Sequence, residues 1–517
     1  MSAAHDDAGL NAFGYTNKLK RSLGGFHTFA AGISYISVLT GTFQLSYFGL
    51  SFGGPAYWWS WPIVFLGQLF VALSFAELAS RYPIAGSVYN WAKTLGGPHI
   101  GWLAGWMMLL ASIVSIAATA LAYQNTLPQI WSGFQFVGDG TSATDAAVNA
   151  VVLALALILF TTLVNAFGVK LMARINSAGV ILELVAAVLL ILALVLAATN
   201  GPDVVLETNG TEAGFSTGYL GAFLVAGIAS SYVMYGFDTA ASLGEESVDP
   251  HRNAPKAILR ALIASGLLGG LIILFGLMAA RDLSSPELSS SGLQFVLNDS
   301  LGPVVGRLFL LAIFVAITVC VLAVHTASIR IAFAMARDNA LPAGSKLAKV
   351  SPRFQTPVVP AVLIGGLAIV LLLVNIGQPQ IFTAVTSLAI ILVYISYLLV
   401  TVPMLVARLR GKWSTAKESG RFSLGRFGLP INILAVLWGG AMTVNLAWPR
   451  REVYNAEPPY QWYLQYSAVV FIGIAAVGGF AYYWFVQRRK IGVLAEHAAT
   501  VVAQEIPSSR ATETPAS

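Results

Sequence analysis

Long apolar stretches alternate with short polar segments along most of this chain. Twelve of these stretches approach or exceed the roughly 20 residues that an α-helix needs to cross a lipid bilayer. They cover residues 25–50, 58–80, 99–125, 146–168, 173–198, 217–243, 257–280, 302–333, 357–377, 380–407, 428–448 and 463–487. The pattern predicts an all-α membrane protein with twelve transmembrane helices, surrounded by a lipid bilayer.

The positive charges predict how these helices are oriented. When the predicted spans are crossed in alternation from the N-terminus, four of the 29 Lys and Arg residues fall on the far side, namely Arg281, Arg307, Arg450 and Arg451. Because Lys and Arg accumulate in cytoplasmic loops, both termini are expected to be cytoplasmic, in a multi-pass protein of the cell membrane. This distribution explains the net charge of +6 without a nucleic-acid partner.

The composition argues against several other classes of protein. Apolar residues make up 57% of the chain, charged residues 10%, and the mean hydropathy is +0.74, whereas about a quarter of the residues in a soluble protein are charged. The single Cys320 excludes a disulfide framework and a thiolate metal site, and no metal or other cofactor is expected. No catalytic triad, phosphate-binding loop or metal-ligand cluster is apparent in the sequence, so an enzyme is not expected.

Two of the predicted spans are interrupted by short polar segments that contain glycine. The first interruption covers residues 39–43 within span 25–50, and the second covers residues 235–238 within span 217–243. Backbone polar groups inside a bilayer need partners, so irregular backbone is expected only beside a cavity or a bound polar molecule. Paired broken spans are typical of transporter binding sites. For Gly41 alone, close packing of neighbouring helices is the simpler interpretation.

Two titratable side chains are predicted to lie inside the hydrocarbon. Glu183 follows Arg174 by nine residues, which places it about 13 Å into the fifth span. A carboxylate at that depth costs at least about 2.5 kcal/mol, so Glu183 is expected to face the protein interior, as a proton-coupling group or as a counter-charge for a cationic substrate. His325 is the second such residue, and a structural hydrogen bond is the simpler interpretation of it.

Three segments resemble the motifs of a known family. They follow the second span (residues 75–89), close the sixth (235–246) and end the eighth (335–342). Their order and residue types resemble the amino acid–polyamine–organocation superfamily of permeases, most closely its amino acid/choline transporter branch. The similarity extends over residues 20–490.

The resemblance implies a five-plus-five inverted repeat in which helices 1 and 6 are discontinuous and their unwound segments bind the substrate. The implied substrate-binding positions are Ser37, Thr40, Gly41, Thr42, Tyr232, Val233, Tyr235 and Phe237. Phe237 takes the place of the family's aromatic gate, and Tyr235 indicates a small pocket. Leu39 and Thr40 depart from the small residue and the serine of the family pattern, so the loop that holds the substrate carboxylate is expected to differ in shape.

The resemblance also implies roles for the titratable residues. The position of Glu183 often carries a lysine in the family, and the reversed charge favours proton coupling through Glu183 and His325. A contact between these two side chains is compatible with the neighbouring helices 5 and 8 of the family. Asp238 and Tyr89 are assigned to a gate or to the inner vestibule, and Glu246 is interpreted as a solvated charge.

The predicted function is that of a secondary active transporter, which imports a small amino acid or a related amino compound such as GABA, by proton symport. A substrate/product exchanger, a choline or polyamine transporter and a non-transporting amino-acid sensor remain alternatives. The expected parts of the chain are an N-terminal tail (1–24), a transporter core (25–408) with repeats at about 25–198 and 217–408, two further helices (428–487) and a disordered C-terminal tail (488–517).

Overall fold

The computed structural model describes residues 10, 14–16, 18–19, 21–140, 142–377, 379–413, 421–455, 458 and 460–498 of the chain. Within these residues the regular elements are helices, and the strand-like pairings are two isolated β-bridges. The all-α prediction is therefore confirmed. The predicted tail segments 1–9 and 499–517 lie outside the described residues.

The α-helices, which range from four to 45 residues in length, follow one another through the described part of the chain. In chain order they are α1 (Gly25–Ile36), α2 (Val38–Gly53), α3 (Ser60–Arg81), α4 (Ser87–Gly96), α5 (Pro98–Ala120), α6 (Ala122–Ile130), α7 (Ala143–Phe167), α8 (Val169–Leu196), α9 (Tyr219–Val233), α10 (Thr239–Ser242), α11 (Pro250–Ala279), α12 (Pro286–Ser291), α13 (Leu293–Arg337), α14 (Gly344–Leu347), α15 (Val358–Gly377), α16 (Pro379–Leu409), α17 (Gly428–Ala447), α18 (Arg451–Tyr454), α19 (Trp462–Gln465), α20 (Ser467–Gly473) and α21 (Gly479–Tyr482). Two π-helical turns, Ile474–Gly478 and Tyr483–Gln487, continue α20 and α21 into one span.

The first apolar stretch forms two helices that meet at a single residue. Between α1 and α2, Ser37 takes a left-handed backbone conformation (φ 39°, ψ 85°). The break therefore precedes the predicted segment 39–43, which is helical, and the predicted position was wrong. The physical reason is that a threonine can satisfy its hydroxyl group within a helix, as Thr42 does by donating to the carbonyl oxygen of Val38 at 2.6 Å.

The sixth apolar stretch is broken at the predicted residues. Helix α9 ends at Val233, residues 234–238 are not helical, and the single turn α10 follows. Gly236 has a φ of 87°, which L-residues with a Cβ rarely adopt. A Cβ at this position would also stand 1.9 Å from the ring of Tyr35, so the break requires glycine for two independent reasons.

Nine of the described helical segments are long and apolar enough to cross a membrane, or ten when the bent pair Pro202–Gly214 and Tyr219–Val233 is counted as one span. The first stretch is not among them because its two halves, with 12 and 16 residues, are each too short alone. The ninth predicted span contains a shorter apolar helix, Val358–Val374. The molecule is thus an all-helical protein with multiple membrane-spanning helices.

The helices pack around the two breaks. Helix α1 packs against α8, α11 and α13, while α2 packs against α9 and α13. Ser37 and Gly236 are therefore enclosed by helices from both halves of the chain, and Ser37 has no solvent exposure.

The two ends of the bundle differ in what covers them. One end, called the terminus face below, carries residues 15–16, 18–19, 21–24, 244–249, 338–349 and 488–498. The other end, called the opposite face, carries the connections after α2, α6, α8 and α17. Residues 488–498, predicted to belong to a disordered tail, pack on the terminus face, where the N–H of Leu494 donates to the carbonyl of Arg337 at 2.9 Å.

Candidate functional site

The first break is joined to helix α8 by a buried carboxylate. The hydroxyl of Ser37 donates to Oε1 of Glu183 at 3.0 Å, and the backbone N–H of Leu39 donates to the same oxygen at 3.2 Å. The first N–H groups of a helix have no partner within it, and they carry the positive end of the helix dipole. Glu183 therefore caps the N-terminus of α2 with its negative charge.

This contact changes what the first break can bind. The resemblance implies that the backbone here holds the carboxylate of a substrate, yet the N–H of Leu39 already donates to Glu183. The second carboxylate oxygen of Glu183, Oε2, is buried and has no hydrogen-bond partner among the described residues. Both hydrogen bonds to Glu183 described here are thus made to the same oxygen, Oε1.

Helix α13 forms another wall of the first break. The hydroxyl of Ser37 lies 3.5 Å from the carbonyl oxygen of Ala316, and the thiol of Cys320 lies 3.5 Å from the carbonyl oxygen of Tyr35. Ser37 also shares a hydrogen bond of 2.7 Å with the hydroxyl of Thr40. The break is thus surrounded by hydroxyl, carbonyl and carboxylate oxygens.

Gly41 is a packing residue in this structure. A Cβ at this position would lie 2.6 Å from a methyl group of Val233, at the end of α9. The simpler interpretation of Gly41, close approach of two helices, therefore matches the geometry. The same contact joins the outer half of the first stretch to the residue at which the second break begins.

The second break is held by Tyr397, a tyrosine that no sequence pattern indicated. The N–H of Gly236 donates to the hydroxyl oxygen of Tyr397 at 3.0 Å, and that hydroxyl donates to Oδ1 of Asp238 at 2.5 Å. Ser87, at the start of α4, donates to Oδ2 of Asp238 at 3.2 Å. Asp238 therefore lies buried between the break, α4 and α16.

Aromatic rings fill the space beside the second break. Tyr235 contacts Tyr35 edge-on, with ring centroids 5.7 Å apart, and Tyr232 in the same manner at 5.9 Å. The hydroxyl of Tyr235 is 3.2 Å from that of Ser115 in α5. Phe237, the expected gate, is instead fully buried against the rings of Phe75 and Tyr397.

A cavity of about 410 Å³ lies between this aromatic layer and the opposite face. Helices α2, α5, α6, α7 and α9 and the end of α18 form its walls. Its polar lining residues are Gln44, Tyr47, Gln124, Asn125, Tyr232 and Tyr454. Of the residues expected to bind substrate, Tyr232 lines this cavity.

His325 belongs to a different part of the bundle from Glu183. Its Nδ1 lies 3.1 Å from the hydroxyl of Thr161, and its Nε2 donates to the carbonyl oxygen of Ala361 at 3.0 Å. No described contact joins it to Glu183. Cys320 marks the level of the first break on α13, and His325 lies five residues further, about 7.5 Å closer to the terminus face. A structural hydrogen bond, the simpler interpretation, is what the geometry provides.

Two buried ion pairs close the terminus face. Arg330 contacts both carboxylate oxygens of Glu246, at 2.9 and 3.1 Å, and Arg337 lies 2.9 Å from Glu245. Glu246 is 2% exposed, so its interpretation as a solvated charge was wrong. The reason is that the turn after α10 places Glu246 beneath α13, where paired charges tolerate burial.

A second polar cluster lies beside these ion pairs. Tyr89 donates to Oδ2 of Asp338 at 2.7 Å, Tyr15 donates to Oδ1 at 2.8 Å, and Lys93 contacts both Tyr15 and Asp338. Burial beside Asp338 raises the pKa of Tyr15 above its ordinary range, so its phenol remains a hydrogen-bond donor. Tyr89 thus lies near the terminus face, in contact with Asp338.

Described residues from the N-terminal and the C-terminal parts of the chain meet beside this cluster. The N–H of Thr16 donates to the carbonyl oxygen of His497 at 3.0 Å. The terminus face is therefore sealed by side chains and by both described terminal segments, whereas a cavity lies toward the opposite face.

In the part of the chain that the structure describes, no group of three His, Cys, Asp or Glu side chains is placed to hold a metal ion.

Comparison with known proteins gives a consistent result. Residues 23–475 match the family model described as "Amino acid permease". The chain is 28% identical over 491 residues to an amino-acid permease of Arabidopsis thaliana, an alignment that covers 90% of this chain and 92% of the relative.

Two relatives from Bacillus subtilis are similar over a shorter length. They are a branched-chain amino acid permease (27% identity; 72% of this chain and 81% of the relative) and a methylthioribose transporter (28% identity; 74% and 83%). The matched region includes both breaks, Glu183 and the two ion pairs. The resemblance to the superfamily is confirmed, and the chain belongs to the amino acid permease family, whose members are transporters rather than enzymes.

Proposed function

We propose that this protein is a secondary active transporter that imports a small amino acid, or a related amino compound such as GABA, across the cell membrane by proton symport. The observation that carries the proposal is the contact of Glu183 with Ser37 and Leu39 at the first break. It places a protonatable group directly at the backbone that can bind a substrate carboxylate.

The proposed architecture has twelve spans in two inverted five-helix repeats, at about 25–198 and 217–408, followed by two further helices at 428–487. The two breaks support it, because each lies in the first span of its repeat. The terminus face is then cytoplasmic, together with both termini, in agreement with the distribution of Lys and Arg.

Electrostatics couple the proton to the substrate in this proposal. Two like charges 4 Å apart repel by about 4 kcal/mol at the effective dielectric constant of a protein surface. An ionised Glu183 therefore opposes the approach of a substrate carboxylate to the other N–H groups at the start of α2, and a protonated Glu183 does not. Because substrate binding requires the proton, each transported molecule carries one proton with it.

Alternating access follows from the state of the two faces. The cavity toward the opposite face admits substrate, while the ion pairs Arg330–Glu246 and Arg337–Glu245 close the terminus face. After the proton and the substrate have bound, the rings around the second break close over them, and the ion pairs separate. Asp238 follows the movement, since Tyr397 and Ser87 bind it to the helices that move relative to the break.

The relatives do not determine the substrate. Their names include branched-chain amino acids and methylthioribose, at nearly equal identity to this chain. The choice of an amino acid depends instead on the first break, where N–H groups at a helix N-terminus favour a carboxylate. Choline and polyamines lack that group.

Transport by purified protein in liposomes tests the proposal. Vesicles with an acidic exterior should accumulate a labelled amino acid above its external concentration, and a protonophore should abolish the accumulation. GABA, neutral amino acids, choline and a polyamine are compared under the same gradient. Uptake that depends on internally loaded substrate and ignores the pH gradient would identify an exchanger instead.

A further inference from the structure

A second cavity, called the α9–α17 groove below, lies on the opposite face between the start of α9 and the end of α17. Its volume is about 570 Å³, and it shares no described lining residue with the cavity of about 410 Å³. Part of its wall is apolar and includes Phe215, Leu224, Ala441 and Val444. The segment that follows α17 supplies charged residues, namely Arg450, Arg451 and Glu452.

The groove lies at the level of the membrane surface. Trp448 lines it and is exposed, and the exposed rings of Trp462 and Tyr463 follow in the next helix, α19. Trp and Tyr side chains are enriched where the bilayer meets water. Along α17 the lining extends from Trp448 back to Ala441, seven residues or about 10 Å. The apolar wall therefore extends from the interface into the hydrocarbon.

Arg450 is fixed in place by the end of α17. Its Nη1 donates to the carbonyl oxygen of Asn445 at 2.5 Å, and its Nη2 donates to the side-chain oxygen of the same residue at 2.6 Å. A cation at the C-terminus of a helix is stabilised by the helix dipole. These two bonds use two of the five N–H groups of a guanidinium.

Arg451 is a second guanidinium at the same place, and capping of α17 does not explain it. Its Cζ lies 3.8 Å from the centre of the Tyr460 ring. Such stacking uses the flat face of a guanidinium and leaves the N–H groups at its edge for hydrogen bonds. Arg450 and Arg451 are also two of the four Lys and Arg residues predicted on this face. Among the described lining residues these two cations exceed the one carboxylate, Glu452, by one charge.

We propose that the α9–α17 groove binds one anionic phospholipid, with its phosphodiester at Arg450 and Arg451 and an acyl chain along the apolar wall. Guanidinium groups bind phosphate oxygens through paired, charge-assisted hydrogen bonds. The excess of one positive charge equals the single negative charge of a phosphodiester. A free anion would leave the apolar wall unused, and a lipid without net charge would leave the excess cation uncompensated. This inference goes beyond the proposed function, since it concerns a ligand other than the substrate.

The position of the groove connects such a lipid to a broken helix. The side-chain amide of Asn445 donates to the carbonyl oxygen of Leu224 at 3.0 Å, which joins α17 to α9 beside the groove. Helix α9 ends at Val233, where the second break begins. A lipid in the groove therefore adds a second connection between α17 and the helix that leads to this break.

Lipid binding to the full-length protein in detergent tests the charged part of the groove. Native mass spectrometry counts the bound molecules and gives Kd values during titration with dioleoyl phosphatidylglycerol or dioleoyl phosphatidylcholine. One phosphatidylglycerol should bind about tenfold more tightly than phosphatidylcholine, the effect of one hydrogen bond between charged groups. Arg451→Gln should raise the Kd of that one lipid by about tenfold. Arg281→Gln removes an exposed charge outside the groove on the same face and should leave the Kd unchanged.

The apolar part is tested by filling it. Ala441→Trp places a large side chain in the groove without removing a charge, and it should raise the Kd of phosphatidylglycerol by about tenfold. Val370→Trp, on the exposed face of α15 and outside the groove, is the matched control and should bind as the wild type does. Glycerol 3-phosphate, which has the phosphate but no acyl chain, should not displace the lipid at an equal concentration.

Several results would overturn the lipid site. Equal Kd values for the two lipids, or unchanged binding of phosphatidylglycerol to Arg451→Gln, would exclude recognition of the phosphate at the groove. An equal effect of Arg281→Gln would show that the charge of the whole face attracts the lipid. Wild-type affinity in Ala441→Trp, or displacement by glycerol 3-phosphate, would indicate a site for a free anion. Because binding is measured without transport, failure of the lipid site leaves the proposed function intact, and failure of transport leaves the lipid site intact.

Discussion

The hydroxyl of Ser37 and the carboxylate of Glu183, 146 residues apart in sequence, share a hydrogen bond of 3.0 Å at the point where the first apolar stretch is broken. Ser37 holds the left-handed backbone conformation that separates α1 from α2. A change in the charge of Glu183 therefore alters the strength of its hydrogen bonds to Ser37, which forms the break, and to the N–H of Leu39 beside it.

We expect Glu183→Gln to abolish accumulation of substrate driven by a pH gradient while retaining exchange of labelled for unlabelled substrate. The glutamine keeps an oxygen that can accept from Ser37 and Leu39, so the break is preserved, whereas the site can no longer gain or lose a proton. Uptake into liposomes with and without a pH gradient measures the first effect, and exchange without a gradient measures the second.

Glu207→Gln serves as the matched control for this substitution. Glu207 is exposed on the opposite face, and its neutralisation should change neither accumulation nor exchange. Proton-driven accumulation that persists in Glu183→Gln would contradict the proposed coupling. A loss of both activities, together with a lowered melting temperature, would instead indicate a purely structural role for the carboxylate.

The position of Cys320 leads to a second prediction. Its thiol contacts the carbonyl oxygen of Tyr35 beside the first break, and it is the one cysteine in the sequence. A small thiol-reactive methanethiosulfonate should therefore inactivate transport, and saturating substrate should slow the inactivation. Uptake after timed exposure to the reagent, with and without substrate, provides the measurement.

Cys320→Ala should transport substrate and resist the same reagent, which shows that the effect arises at this thiol. Inactivation of the wild type at the same rate with and without substrate would mean that substrate does not occupy the region of the first break.

Much of the second break could be predicted from the sequence, because its backbone requires a particular residue. Gly236 combines a left-handed φ with a neighbouring ring that excludes a Cβ, and only glycine fulfils both conditions. The first break contains no residue type that its backbone conformation requires. Ser37 adopts its conformation because Glu183, Thr40 and the start of α2 surround its hydroxyl, and these contacts arise only when α8 packs beside it.

Partners that are distant in sequence account for the other differences between the predicted and the observed surroundings of the site residues. The burial of Glu183 was predictable from its depth in an apolar span, but its partners on α2 were not. Tyr397 carried no signal, since it is one tyrosine in an apolar helix and its partner Asp238 lies 159 residues away. The burial of Glu246 was not predictable, because its partner Arg330 lies on another helix, 84 residues away.

The close contact between Gly41 and Val233 predicts a rescue. Gly41→Ala would place a Cβ 2.6 Å from a methyl group of Val233, and overpacking of this kind costs about 1–3 kcal/mol. We expect a lower melting temperature and reduced uptake for Gly41→Ala. The double variant Gly41→Ala/Val233→Ala should regain both, because the removed methyl groups leave room for the new one.

Gly366→Ala in α15 is the control for this pair, since a Cβ there would meet no atom within 4 Å. Melting temperature in detergent and uptake in liposomes are measured for all four proteins. A double variant that is as stable as the wild type but does not transport would show that Gly41 acts on the substrate directly and not through packing.

The ion pair between Arg330 and Glu246 predicts a difference between single and double variants. Both side chains are almost fully buried, so Arg330→Met leaves an unpaired carboxylate in the interior, at a cost of about 3–5 kcal/mol. Arg330→Met/Glu246→Gln removes both charges and should be more stable than either single variant. All three variants should weaken the seal of the terminus face, because each loses the bidentate contact.

The seal is measured by thiol labelling from the terminus face in a Cys320→Ala background. A cysteine introduced at Ser242, which is buried behind the ion pair beside Ser87, should react faster in the double variant than in the protein with the pair intact. Arg252, exposed on the same face, provides the control substitution Arg252→Met, which should leave the rate unchanged. If the double variant is stable and its Ser242→Cys thiol remains protected, the ion pair does not close this face, and the closure must depend on Arg337–Glu245 and the terminal segments that pack beside it.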